Sequence, residues 1–228
     1  MCRWIAYTGP QIPMSIALIE AKHSLLVQSE RSTMGAEPMN GDGFGVGWYS
    51  PHMDTPGVYR DVRPAWNDEN FRDVTAHIRS RMFLAHIRAT TGTAVQRSNC
   101  HPFRHGRWLF QHNGLVPEFH LLRRDLLFEI GQNFFDSIQG TTDSEVLFHL
   151  ALTYGLETDP PAALSRTINT VESHMDRHGI DGELQFSAAV ADGVPDNPLG
   201  EVVAVGDQGV DARVPGVQLV QHRLQVHV

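Results

Sequence analysis

Residues 41–49 read GDGFGVGWY, and no other stretch of the chain constrains its fold as tightly. Glycine alternates there with Phe44, Val46 and Trp48. In a strand, successive side chains point to opposite faces, so this spacing makes one face apolar and leaves the other bare. Glycine weakens a strand interior and is typically found there where another part of the molecule must approach the backbone closely. The segment is therefore expected to be a strand with something packed hard against its bare face.

The remaining pattern supplies both strands and helices. CRWIAYT suits a short strand beginning almost at residue 2, with Trp4, Ile5 and Tyr7 as its large positions. After Pro13, MSIALIEAKHSLL has helical apolar spacing, and a polar loop is expected from Ser29 to Asn40. NDENFRDVTAHIRS, residues 67–80, opens on an Asn or Asp cap and places Phe71, Val74 and Ile78 on one helical face. MFLAHIRAT reads as a buried strand. WLFQHNG, residues 108–114, reads as another, closed by an Asn-Gly pair that accepts positive φ. PEFHLLRRDLLFEI and TDSEVLFHLALTYG read as capped amphipathic helices, the second with Asp143 and Glu145 in its first turn. Residues 161–178 supply a third. Without the regular rhythm of βαβ units, the expectation is an α+β fold of antiparallel sheets covered by helices. Beyond Asp192 the chain is rich in valine and glycine, and no element can be placed there.

Composition bounds the function. The 228 residues suit one domain, long enough to remove roughly 70–75% of the unfolded surface from water. No apolar run approaches the ~18 residues of a membrane span, and no basic stretch with an apolar block opens the chain, so a cytoplasmic location is expected. A net charge of −8 argues against nucleic acid as a partner, because phosphate contacts need a positive surface. Two cysteines, Cys2 and Cys100, make no disulfide framework. The 13 histidines form neither HExxH nor paired-finger spacing, so neither a metal nor a cofactor is expected. A metal-dependent hydrolase would rest on the histidine count alone.

Cys2 carries the most chemistry. Initiator methionine is commonly removed before a small residue, which would leave this cysteine with a free α-amine. A thiol titrates near 8.5 and an α-amine near 7.7–8.0, so one residue would hold a nucleophile and a matched proton acceptor. Second-position cysteines also arise by chance. What raises this one is its company: AHIRATTG at 85–92, NCHPF at 99–103, HNG at 112–114 and TDSE at 142–145.

In content and order, MCRW, NGDGFG and these four segments resemble the signature series of class II glutamine amidotransferases, which are N-terminal-nucleophile hydrolases. The resemblance runs from residue 1 to about 190. It implies a four-layer αββα sandwich of antiparallel sheets over residues 1–192, with 193–228 as a divergent tail. Family members usually continue past the equivalent of 186–191 with strands that complete the sandwich. Here the sequence departs from that pattern, and the last strands are expected to be missing, replaced or out of frame.

The resemblance also implies roles. Cys2 is the nucleophile, and Asn113 and Gly114 form the oxyanion hole. Arg88 grips the substrate α-carboxylate, and Asp143 accepts its α-ammonium group. Thr90 or Thr91 supplies a further contact, with Thr90 preferred. His86 is expected to orient its strand end or bond a neighbouring backbone group, Asp42 to serve in a turn, and Cys100 to be a buried small hydrophobe. The loop from Ser29 to Asn40 is a candidate cover.

The implied activity is cleavage of the γ-glutamyl amide of glutamine or a γ-glutamyl peptide through a thioester. The segments are most similar to the small branch that includes the amidotransferase-like subunit of glutathione degradation and the amidohydrolase of ergothioneine biosynthesis. A partner peptidase or synthase subunit is one implied arrangement. The competing reading is a catalytically silent subunit that keeps the fold as a scaffold.

Overall fold

The period-2 burial of the strands explains how the layers stack. In the computed structural model, which describes residues 2–30, 41–89, 93–193, 203–205 and 221–222, strand β1 spans Arg3–Pro13, β2 Phe44–Trp48, β3 Gly57–Asp61 and β4 Arg79–Ile87. They form one antiparallel sheet in the order β1-β4-β2-β3. A second sheet runs in the order β5 (Phe103–His105), β6 (Trp108–Leu115), β7 (Gln185–Ala191), β8 (Val203–Val205) and β9 (Gln221–His222). It is antiparallel except for the β8–β9 pair.

Along β1, Ile5 and Tyr7 join one core and Trp4 and Ala6 another. The same alternation splits Phe83, Ala85 and Ile87 from Met82 and Leu84 on β4. On the second sheet, Trp108 and Phe110 of β6 separate from Leu109, and Ala188 and Val190 of β7 separate from Ala189 and Ala191. Both faces of both sheets are thus buried. The outer face of the first packs on α1 (Leu25–Glu30) and α2 (Glu69–His77) through Leu25, Leu26 and Phe71. That of the second packs on α3 (Phe119–Phe128), α5 (Asp143–Thr153) and α6 (Pro160–His178) through residues such as Leu122, Leu150 and Leu164, with α4 (Gln132–Phe135) alongside. The result is the expected αββα stack.

Between the sheets, Trp4, Met82, Leu84 and Leu109 pack with alanines, and the glycines of β2 let other parts of the chain come closest. A Cβ on Gly45 would stand 2.2 Å from the carbonyl oxygen of His101, and one on Gly47 2.7 Å from a Leu109 methyl. The bare face read from GDGFGVGWY is therefore the face on which the second sheet rests.

Local signals set the helix ends. Asp68 caps α2 by accepting the Phe71 N–H at 2.8 Å, and Thr142 caps α5 by accepting the Glu145 N–H at 3.3 Å. Asp159 caps α6, which ends at Gly179 in the left-handed region.

Three expectations need correction. The stretch after Pro13 is not one helix: a five-residue π-helical turn, Ile16–Glu20, closes when Ala21 N–H reaches Ile16 O, and Ala21 is extended. Ser24 Oγ then accepts the Val27 N–H at 3.3 Å at the start of α1. Asn113 and Gly114 make no turn; both lie in β6, opposite Ser187 and Phe186 of β7. The helix expected over 67–80 ends at His77, and Arg79 already pairs with Pro13 in β4. Most of the expected covering loop, 31–40, lies outside the described residues, as does most of the tail, whose described parts extend the second sheet as β8 and β9.

Gly45→Ala is expected to destabilise the fold by about 3 kcal/mol, the upper end of overpacking, because backbone rather than a flexible side chain blocks the new methyl. Urea unfolding checks this; an unchanged midpoint would mean that the sheets do not need their close approach.

Candidate active site

Three strand ends meet at one edge of the sandwich. The β1–β4 register pairs Arg3 with Ile87, which carries Cys2 to the residues just past β4. There the Cys2 thiol donates to the Ala89 carbonyl at 3.4 Å, while the Ala89 N–H donates to the sulfur at 3.3 Å. From the other sheet, Asn113 Nδ2 on β6 donates to the Cys2 carbonyl at 3.2 Å. One backbone residue and one side-chain amide thus hold Cys2 from two sides.

Arg88 is buried beside them. Its backbone N–H donates to Gly43 O at 2.8 Å. Its guanidinium donates to the carbonyls of Ala94 at 3.1 Å and Asp42 at 3.4 Å, and to the Thr93 hydroxyl. Asp143, the first residue of α5, is fixed by backbone donors: Ser144 N–H reaches one oxygen at 2.7 Å and Val116 N–H the other at 3.1 Å. The cap of that helix is Thr142, which leaves the Asp143 carboxylate for other contacts.

The thiol's surroundings set its protonation. Burial pushes the Cys2 pKa above its ordinary value; the Ala89 N–H opposes this, Arg88 also lowers it, and Asp143 raises it. Burial dominates, so the sulfur stays a thiol near neutral pH and needs a proton acceptor when it reacts.

His112, adjacent to Asn113, is buried and its pKa is pushed down by that burial, with Asp143 pulling it up. Its Nε2 faces the Gln185 carbonyl at 3.4 Å and its Nδ1 the Ser144 hydroxyl at 2.9 Å. A carbonyl can only accept, so the neutral ring carries its proton on Nε2 and accepts the Ser144 hydroxyl at Nδ1. This ties the start of α5, and with it Asp143, to β6.

The structure therefore brings together Cys2, Asn113, Arg88 and Asp143. Gly114 follows Asn113 in β6, where a Cβ would lie 1.9 Å from Gln185 O. Thr90 and Thr91 lie outside the described residues. Cys100 is fully buried, its sulfur within 2.6 Å of where a Cβ on Gly43 would stand. The His86 ring packs tilted against that of His101 at 4.2 Å between centroids, with the His112 backbone as its polar neighbour, and the His101 ring has no hydrogen-bond partner among the described residues. The sequence could not disclose Ala89, Ala94 or Val116, which act through their backbones, nor the pairing of Ser144 with His112, 32 residues apart.

The sequence pattern of the class-II glutamine amidotransferases matches residues 17–193. The chain belongs to this family. A probable glutamine amidotransferase of Saccharomyces cerevisiae is 38% identical over 67% of this chain and 45% of its own length. A γ-glutamyl-hercynylcysteine sulfoxide hydrolase of Mycolicibacterium smegmatis is 34% identical over 75% of this chain and 69% of its own. The chain thus spans less than half of the yeast relative. Among solved structures, a class-II domain protein from Silicibacter pomeroyi is 40% identical, with a TM-score of 0.65 over 84% of this chain and 73% of that one. A phosphoribosylpyrophosphate amidotransferase from B. subtilis, at 14% identity and a TM-score of 0.55 over 85% of this chain and 35% of that one, shares the fold. No helix among the described residues is long and apolar enough to cross a membrane.

The buried histidines make stability depend on acid. Burial depresses His86 to about 3 and His101 well below its ordinary value. The folded protein therefore holds both neutral, while the unfolded chain takes up protons below about 6.5. Their contribution is fully present above that pH and lost as pH falls toward 3. Unfolding free energy is expected to drop by about 1.4 kcal/mol per pH unit for each of the two. His86→Phe should remove one share; a slope that is flat, or unchanged by the substitution, would contradict this.

Proposed function

We propose that this chain is a cysteine-dependent γ-glutamyl amidohydrolase, acting on glutamine or a γ-glutamyl peptide. The observation that carries the reading is the convergence of a half-buried cysteine, an amide donor, a buried guanidinium and a carboxylate at one edge of a family-typical sandwich. The family match begins at residue 17, so the role of Cys2 rests on that geometry.

With Met1 removed, the α-amine of Cys2 takes the thiol proton as sulfur adds to the γ-carbonyl. Asn113 Nδ2 and the Gly114 N–H donate to the oxyanion, for which Asn113 must turn from the Cys2 carbonyl it holds at rest. The C–N bond breaks, the amine passes its proton to the leaving nitrogen, and a γ-glutamyl thioester remains. Water adds to the thioester and releases glutamate and the free thiol. Arg88 binds the α-carboxylate with its planar fork, and Asp143 the α-ammonium group. Thr90 is proposed as a further contact and the loop from Ser29 to Asn40 as a cover. The names of the relatives support the γ-glutamyl class, and a γ-glutamyl peptide is preferred to free glutamine. A partner peptidase or synthase would use what is released.

The test is glutamate release from glutamine, glutathione and other γ-glutamyl amides by the purified chain. Cys2→Ala is expected to abolish release, and Asn113→Ala to lower kcat about 10²–10³-fold. Arg88→Lys and Asp143→Asn are expected to act mainly on KM. A folded chain that releases no glutamate would falsify the proposal and favour a scaffold role, and turnover that survives Cys2→Ala would overturn the role given to the cysteine.

A further inference from the structure

Four side chains unconnected with the Cys2 site meet where α3 and α6 pack together. Asp125 and Glu129 stand one turn apart at the end of α3, and His174 and His178 one turn apart in the last turns of α6. His178 Nε2 lies 2.8 Å from Asp125 Oδ2, and His174 Nε2 lies 3.2 Å from Glu129 Oε1. One ligand atom each from Asp125, His174 and His178 falls within 4.8 Å of the other two.

We propose that these residues bind a divalent transition ion of the zinc class, with Asp125, His174 and His178 as ligands and Glu129 as the fourth ligand or the acceptor that orients His174. Ligand atoms about 2.0–2.1 Å from a tetrahedral ion lie roughly 3.3 Å apart, close to the two contacts already formed. Rotations of the solvent-facing side chains close the remaining gap: Asp125 is 42% and His178 35% exposed, whereas His174 is 4% exposed and fixed in the core. One rigid ligand and a solvent-facing rim give the ion both an anchor and an entry path. Two imidazoles with carboxylates suit zinc better than calcium or magnesium, which prefer all-oxygen sites.

The competing account is a pair of ordinary ion pairs between helices. It does not require a third ligand atom to lie within 4.8 Å of both members of a pair. The histidines show no zinc motif in sequence because their carboxylate partners are 45 and 53 residues away on another helix. The ion would staple the helical layer that covers the second sheet, and it would not touch the reacting atoms.

The test uses the full chain with Cys2→Ala, so that the site thiol cannot compete, stripped with chelator and titrated with zinc chloride by calorimetry and thermal unfolding. One ion per chain is expected, with Tm raised by roughly 5–10 °C at a hundredfold excess over Kd. The double variant Asp125→Asn/His178→Gln should weaken binding at least tenfold and remove the Tm rise while keeping the metal-free Tm. Cobalt should give the visible absorption of a four-coordinate site. Zinc binding that survives the double variant, or that leaves Tm unchanged, overturns the proposal.

Discussion

The close approach of the two sheets at Gly45 and Gly47 is the constraint on which everything else depends. Those positions carry no side chain, so the His101 carbonyl and Leu109 can rest directly on β2. That contact fixes the spacing between the first sheet, which delivers Cys2 and Arg88, and β6, which delivers Asn113. A wider gap would part the Asn113 amide from the Cys2 carbonyl before it altered either sheet.

Much of this was legible in the sequence, for physical reasons that differ between elements. Period-2 alternation with glycine identified β2, and the residues that would crowd a Cβ there are the close neighbours it implied. Asp68 and Thr142 announced the starts of α2 and α5 because short oxygen-bearing side chains satisfy free N–H groups at a helix start. Where pairing between distant segments decided the outcome, local reading failed. Asn113-Gly114 has the chemistry of a turn, yet β7 pairs with it and holds it extended. MSIALIEAKHSLL has a continuous helical period, but the chain closes a wide turn at Ala21 and begins again.

The site was legible in its side chains and hidden in its backbone. Cys2, Arg88, Asn113 and Asp143 could be named because their chemistry is in their side chains. The groups that hold them, Ala89 on the sulfur, Ala94 on the guanidinium and Val116 on the carboxylate, contribute only N–H and C=O. The neighbours of His86 were hidden for a related reason. Its ring meets that of His101, from the segment that leads into β5, and the His112 backbone of β6, rather than a polar neighbour along its own strand.

Burial holds the Cys2 sulfur as a thiol, and the proposed chemistry gives its proton to the amine of the same residue. Acid-quenching the mature chain during turnover of a γ-glutamyl amide, followed by peptide mass spectrometry, tests this most directly. The account predicts one glutamyl acyl group on the peptide that begins at Cys2, with Met1 gone. An acyl group on Cys100, or full turnover by a chain that retains Met1, would contradict it.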